Sequence, residues 1–80
     1  MSNKKGLKIG DKVKIITADG LEELGRRENQ NGFKFIYGII EEIRPHHTYP
    51  YNIGFIDYKG IRRDSYVFLR SEIEKIDWYG

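Results

Sequence analysis

The chain has 80 residues, of which 39% are hydrophobic and 32% charged, with no Cys and a formal net charge of +2. A chain this short buries only about 60–65% of its unfolded surface, which leaves room for one small core and none for a deep active-site cavity. The lack of Cys excludes disulfides and thiolate chemistry, no run reaches the ~20 apolar residues of a membrane-spanning helix, and the mild charge does not by itself imply nucleic acid.

The opening stretch, MSNKKGLKIGD, has no apolar segment after its lysines and does not read as a secretory signal, so a cytoplasmic location is expected. Residues 1–6 are polar and expected to fray. Residues 1–14 are locally basic, with Lys4, Lys5, Lys8, Lys12 and Lys14 against Asp11 alone. From Leu7 to Thr17 the pattern predicts a first strand with its lead-in. Gly10-Asp11 is a turn signal. Val13 and Ile15 then face a core and Lys12 and Lys14 face water, while Leu7 and Ile9 close one end of the core.

Ala18–Lys34, ADGLEELGRRENQNGFK, reads as a long connection. Within it LEEL forms one helical turn after Asp19, with Leu21 and Leu24 touching the core and Gly25 ending the turn. Loops of this length are often functional.

The second strand runs from Phe35 to about Arg44. Gly38 marks a close backbone approach, and a bulge at Glu41-Glu42 returns both Ile40 and Ile43 to the core. On such a bulge the two glutamates form a solvated edge rather than an acid–base pair. Pro45 and Pro50 bracket the next loop, because neither can donate a ladder hydrogen bond. His46 and His47 in that loop lack a third ligand at zinc spacing. They read as recognition groups, with no metal or cofactor expected.

The third strand spans Tyr51 to about Tyr58, with Tyr51, Ile53 and Phe55 on one face. Tyr58-Lys59-Gly60 is a turn, and a short fourth strand covers Ser65–Arg70 with Phe68 inward. Ser71 caps a 3-10 or helical turn that places Ile73 inward. Ile76 opens a brief last strand, and residues 78–80, with Trp78 and Tyr79, form a tail.

Five short strands, one long first loop and tight later turns describe an all-β fold, a small five-stranded barrel over residues 7–77 that removes most exposed edges by closing. This order resembles the SH3-like barrels. Ala18–Lys34 corresponds to the RT loop, Tyr58–Gly60 to the distal hairpin, and SEIEKI to the short 3-10 turn before the last strand. Within that fold the chain resembles small SH3-like proteins of Firmicute bacteria and their phages, through GDKVKI at Gly10–Ile15, GIIEEI at Gly38–Ile43, YPYNIGF at Tyr49–Phe55 and LRSEIEKI at Leu69–Ile76. It lacks the ALYDY run and adjacent Trp pair of eukaryotic peptide-binding SH3 domains, so binding of PxxP ligands is not expected.

No nucleophile elbow, phosphate loop, metal signature or Cys/His pair is present, and no enzyme activity is expected. Six Tyr, four Phe and one Trp exceed what one small core can hide. Tyr37, Tyr49, Tyr51, Tyr66 and Trp78 therefore suggest an aromatic surface for a protein partner. The resemblance implies a phage or mobile-element accessory protein acting on a host protein. The alternative is a nucleic-acid-binding barrel, with Lys12, Lys14, Arg62 and Arg63 on phosphates and Tyr49 and Tyr51 stacking on bases. In either case the expected site lies where Arg26 and Arg27 of the first connection face His46, His47, Tyr49 and Tyr51 of the second. Tyr37 and Tyr66 extend the binding set. No membrane partner is expected, and the chain is expected to be a monomer or weak homodimer.

Overall fold

A computed structural model describes residues 6–76. The expected frayed residues 1–5 and the C-terminal residues 77–80, including Trp78 and Tyr79, lie outside the described residues. The chain folds into five antiparallel strands, one helix and a 3-10 turn: β1 (Lys12–Ile15), α1 (Ala18–Asn31), β2 (Phe35–Ile43), β3 (Tyr51–Asp57), β4 (Arg62–Phe68), the 3-10 turn Arg70–Glu72, and β5 (Ile73–Lys75). The strand order is β4-β3-β2-β1-β5. Among the described residues β4 and β5 are the edges and no pairing joins them, so the closure expected of a barrel is not seen.

β2 and β3 form close to where the sequence pattern predicts them. Val13, Phe35, Ile40, Ile53, Phe55, Phe68 and Ile73 make the buried cluster, with Leu7, Ile15, Leu24, Phe33, Ile43 and Tyr51 packed on it. Phe55 stacks on Phe35 with ring centres 5.1 Å apart and meets Phe68 edge-on at 5.9 Å. The β2–β3 register shifts between Ile40 and Glu42, which is the expected bulge, and a second shift falls between Phe35 and Tyr37. Gly38 marks a close approach, as expected, because a side chain there would run into Ile53.

Ala18–Lys34 is not a long loop. Thr17, not Asp19, caps the helix, its hydroxyl accepting from the Gly20 amide at 3.2 Å. The helix continues through Gly25 to Asn31, and Gly32 ends it at φ 75°, a left-handed conformation that favours glycine. An interior glycine costs roughly 1 kcal/mol relative to Ala. Several interactions offset that cost: Glu23 pairs with Arg26 at 2.7 Å and Arg27 at 3.1 Å, Leu24 packs on the core, and the Glu28 carboxylate accepts the Phe35 amide at 2.8 Å. Leu21 departs from expectation and is 50% exposed.

Other boundaries also move. β4 begins at Arg62 and not Ser65, and ends at Phe68 and not Arg70, because the tight turn after Asp57 fixes its register against β3. That turn is closed by Gly60 donating to the Asp57 carbonyl at 2.9 Å and by Asp57 donating to the Ile61 carbonyl at 3.0 Å. The last strand is Ile73–Lys75, paired with β1, so Ile76 follows the strand and does not open it. The lead-in to β1 is a turn closed by Asp11, whose carboxylate accepts the Lys8 amide at 2.9 Å, and Ile9 there is 63% exposed and does not cap the core. Phe68 points inward as expected. α1 packs against both β1 and β4, which stand on opposite sides of the β2–β3 pair. Gly20 is the point of closest approach: a β-carbon there would lie 2.5 Å from Ile15 and 3.7 Å from Phe68.

Candidate functional site

The docking of α1 on β4 leaves a cleft of about 190 Å³ between the first half of the helix, the β2–β3 loop and the 3-10 turn. The helix contributes Asp19, Gly20 and Glu23, the loop contributes Tyr49, β4 contributes Tyr66 and Phe68, and the turn contributes Glu72. Tyr49 and Tyr66 are 46% and 36% exposed, whereas Phe68 is buried and carries Tyr66 edge-on at 5.8 Å. The Arg27 guanidinium lies 4.3 Å from the Tyr66 ring centre. The cleft therefore has an apolar floor, two phenolic walls and carboxylates on its rim.

Its supports are ionic. Arg27 bridges Glu23 of the helix and Asp64 of β4, and Asn31 donates to the same Asp64 carboxylate at 3.0 Å. Burial works to raise the Asp64 pKa, but the Ser65 amide, Arg27 and Asn31 outweigh it and hold the carboxyl below its ordinary value. Burial likewise opposes the charge on Arg27, and the hydrogen bonds and fields of Asp64 and Glu23 overcome it and raise the guanidinium pKa.

Of the expected site residues, Tyr49 and Tyr66 line the cleft and Arg27 flanks it. Arg26 is exposed on the helix and engaged by Glu22 at 3.4 Å and Glu23 at 2.7 Å. Tyr51 is half-buried against the core beneath this region, opposite Phe68 in the β3–β4 ladder. His46 and His47 sit exposed in the turn after Arg44, and neither lines the cleft. Tyr37 lies elsewhere, under the Lys12 ammonium at 4.8 Å. With Leu21, Leu24, Phe35 and Ile36 it lines a second, apolar cavity of about 170 Å³, where the β1–β2 ladder stops after two pairs and the strands splay.

The four expected phosphate contacts do not form one track. Arg62 is clamped by both oxygens of Glu41, at 2.5 and 2.9 Å, over Gly54. Arg63, in the β4 bulge, donates to Asp57 at 2.6 Å and stacks on Phe33 at 3.9 Å. Lys14 stands 3.9 Å from Glu74. The lysines are on β1 and the arginines on β4, with two strands between them.

Sequence reasoning missed the rim carboxylates Asp19, Glu23 and Glu72. The helical spacing of Asp19 and Glu23, at i and i+4, was the available signal, but Glu72 joins them only through the fold. No family model matches the chain, and no curated protein or solved structure matches it. Among the described residues no helix is long and apolar enough to cross a membrane.

Proposed function

We propose that this chain is a non-enzymatic protein-binding module on a small SH3-like barrel, an accessory protein of phage or mobile-element type that acts on a host protein. The observation that carries the binding reading is the cleft between α1 and the β2–β3 loop, where Tyr49 and Tyr66 stay exposed over a buried Phe68. Phenolic side chains contribute large contact area at low entropic cost, which is why aromatics dominate binding hot spots. The barrel reading draws on the 3-10 turn before β5, the tight β3–β4 hairpin, and a helix that packs on both β1 and β4. On this reading α1 stands in for the RT loop of the family that the sequence resembles.

The alternative, nucleic-acid binding, draws less support from this geometry, because Arg62 and Arg63 are each held by a carboxylate. Both readings are tested together. The wild-type chain and a Tyr49→Ala/Tyr66→Ala variant are immobilised and exposed to a Gram-positive lysate, and captured material is read by mass spectrometry. A protein retained by the wild type and lost by the folded variant is the expected result. Equal recovery by both overturns the assignment of the cleft, and salt-sensitive capture of oligonucleotides favours the alternative.

A further inference from the structure

We propose that the guest of this cleft is a cationic side chain, an Arg or Lys on a basic segment of the partner protein. The proposal rests on the protein-binding reading and specifies its chemistry.

Charge complementarity is the first argument. The whole chain carries +2, but α1 holds Asp19, Glu22, Glu23 and Glu28 against Arg26 and Arg27, a net of −2. Of these acidic residues Asp19 and Glu23 line the cleft, Glu23 paired with Arg26 and Arg27, and Glu72 of the 3-10 turn joins them. Asp19 has no ion-pair partner among the described residues, and Glu72 commits only Oε1, to the Leu69 amide at 2.8 Å. Rim carboxylates with capacity to accept hydrogen bonds repel an acidic peptide or a phosphate and attract a guanidinium or ammonium.

The aromatic walls give the second argument. A cation already sits on one of these rings: Arg27 of the chain itself lies over Tyr66. Tyr49, nearly half exposed, has no stacking or cation partner among the described residues and leaves its ring for a guest. A tyrosine face beside carboxylates suits a cation whose stem is apolar, because the methylenes of Lys or Arg pack on the floor while the head meets the rim. A cleft of about 190 Å³ is on the scale of a single side chain.

The test uses the full isotope-labelled chain and two blocked peptides, Gly-Arg-Arg-Gly and Gly-Glu-Glu-Gly, followed by NMR at low salt. The arginine peptide is expected to shift resonances of Asp19, Tyr49, Tyr66 and Glu72, and the glutamate peptide is not. Asp19→Asn is expected to weaken the arginine peptide by about two- to fivefold, the range of one exposed ion pair, and added salt to weaken it further. Shifts confined to other surfaces, no shifts at all, or an equal response to the glutamate peptide overturn the cationic guest. If Tyr49-dependent capture of a protein persists in that case, the binding reading stands and only the guest chemistry falls. If capture is also lost, both fall.

Discussion

The Nη1 of Arg27 donates to both carboxylate oxygens of Asp64, at 3.3 and 3.2 Å, and so ties the second half of α1 to β4 across 37 residues of sequence. Both side chains are about three-quarters buried, at 25% and 22% exposure, and Asn31 shares the carboxylate. Removing Asp64 therefore leaves a largely buried guanidinium with Glu23 as its remaining carboxylate, and Asn31 with the Arg27 carbonyl as its remaining acceptor.

Asp64→Ala is expected to destabilise the fold by about 1–2 kcal/mol, between the value of an exposed pair and that of a charged hydrogen bond. Chemical denaturation measures it. A double-mutant cycle with Arg27→Ala isolates the pair, and a coupling near zero would mean that the pair does not help to hold the helix.

Acid is expected to weaken the fold through Asp57 and Asp64. Burial pushes the Asp57 pKa up, but Arg63 and the Ile61 and Lys59 amides outweigh it and hold the carboxyl below its ordinary value, as the partners of Asp64 do there. A depressed carboxyl pKa contributes stability that is complete above the unfolded value of about 3.9 and is lost as pH falls through the lower folded value. Stability should therefore decline below about pH 4, and Asp57→Asn should flatten that decline. An unchanged acid profile in Asp57→Asn would exclude Asp57 as a contributor.

The two inner glycines of α1 should respond to Ala with opposite signs. Gly25 has open space around it, so Gly25→Ala is expected to stabilise by about 0.5–1 kcal/mol through helix propensity. At Gly20 the new methyl would stand 2.5 Å from Ile15 and 3.0 Å from the Thr17 hydroxyl that caps the helix. Gly20→Ala is therefore expected to cost about 1–3 kcal/mol by overpacking. Thermal or urea unfolding of both variants checks the contrast, and equal effects would contradict the close approach.

Ile53 and Phe55 are buried side chains of β3, which is paired on both edges. Replacing either with Ala is expected to cost about 2–5 kcal/mol, a large fraction of the stability of a domain this size. A change under about 0.5 kcal/mol at Ile53, measured by denaturant unfolding, would mean that the other face of β3 is inside.

The second and third strands, the turns at Gly10 and Gly60, the Glu41 bulge and the short turn before β5 were legible in the sequence because each is set by neighbours a few residues apart. Alternation of side chains, the missing amide of Pro and the left-handed tolerance of Gly act locally. The helix was only half legible. Gly20, Gly25 and Gly32 read as loop punctuation, yet only Gly32 ends anything. Gly20 is small because β1 and β4 press on it, and Gly25 is carried by ion pairs and by docking.

The site depended still more on distant partners. Tyr49 and Tyr66 are 17 positions apart and were expected as surface aromatics, but only the packing of α1 on β4 sets them round one cleft. Arg62 and Arg63 looked like phosphate contacts until the fold brought Glu41 and Asp57 to them. The sequence by itself determined which residues are apolar, where strands turn and what charges the chain carries. The tertiary structure alone decided which charges neutralise one another and which are left on the rim of a cleft, because an ion pair depends on distance in space and side-chain charge fixes no distance.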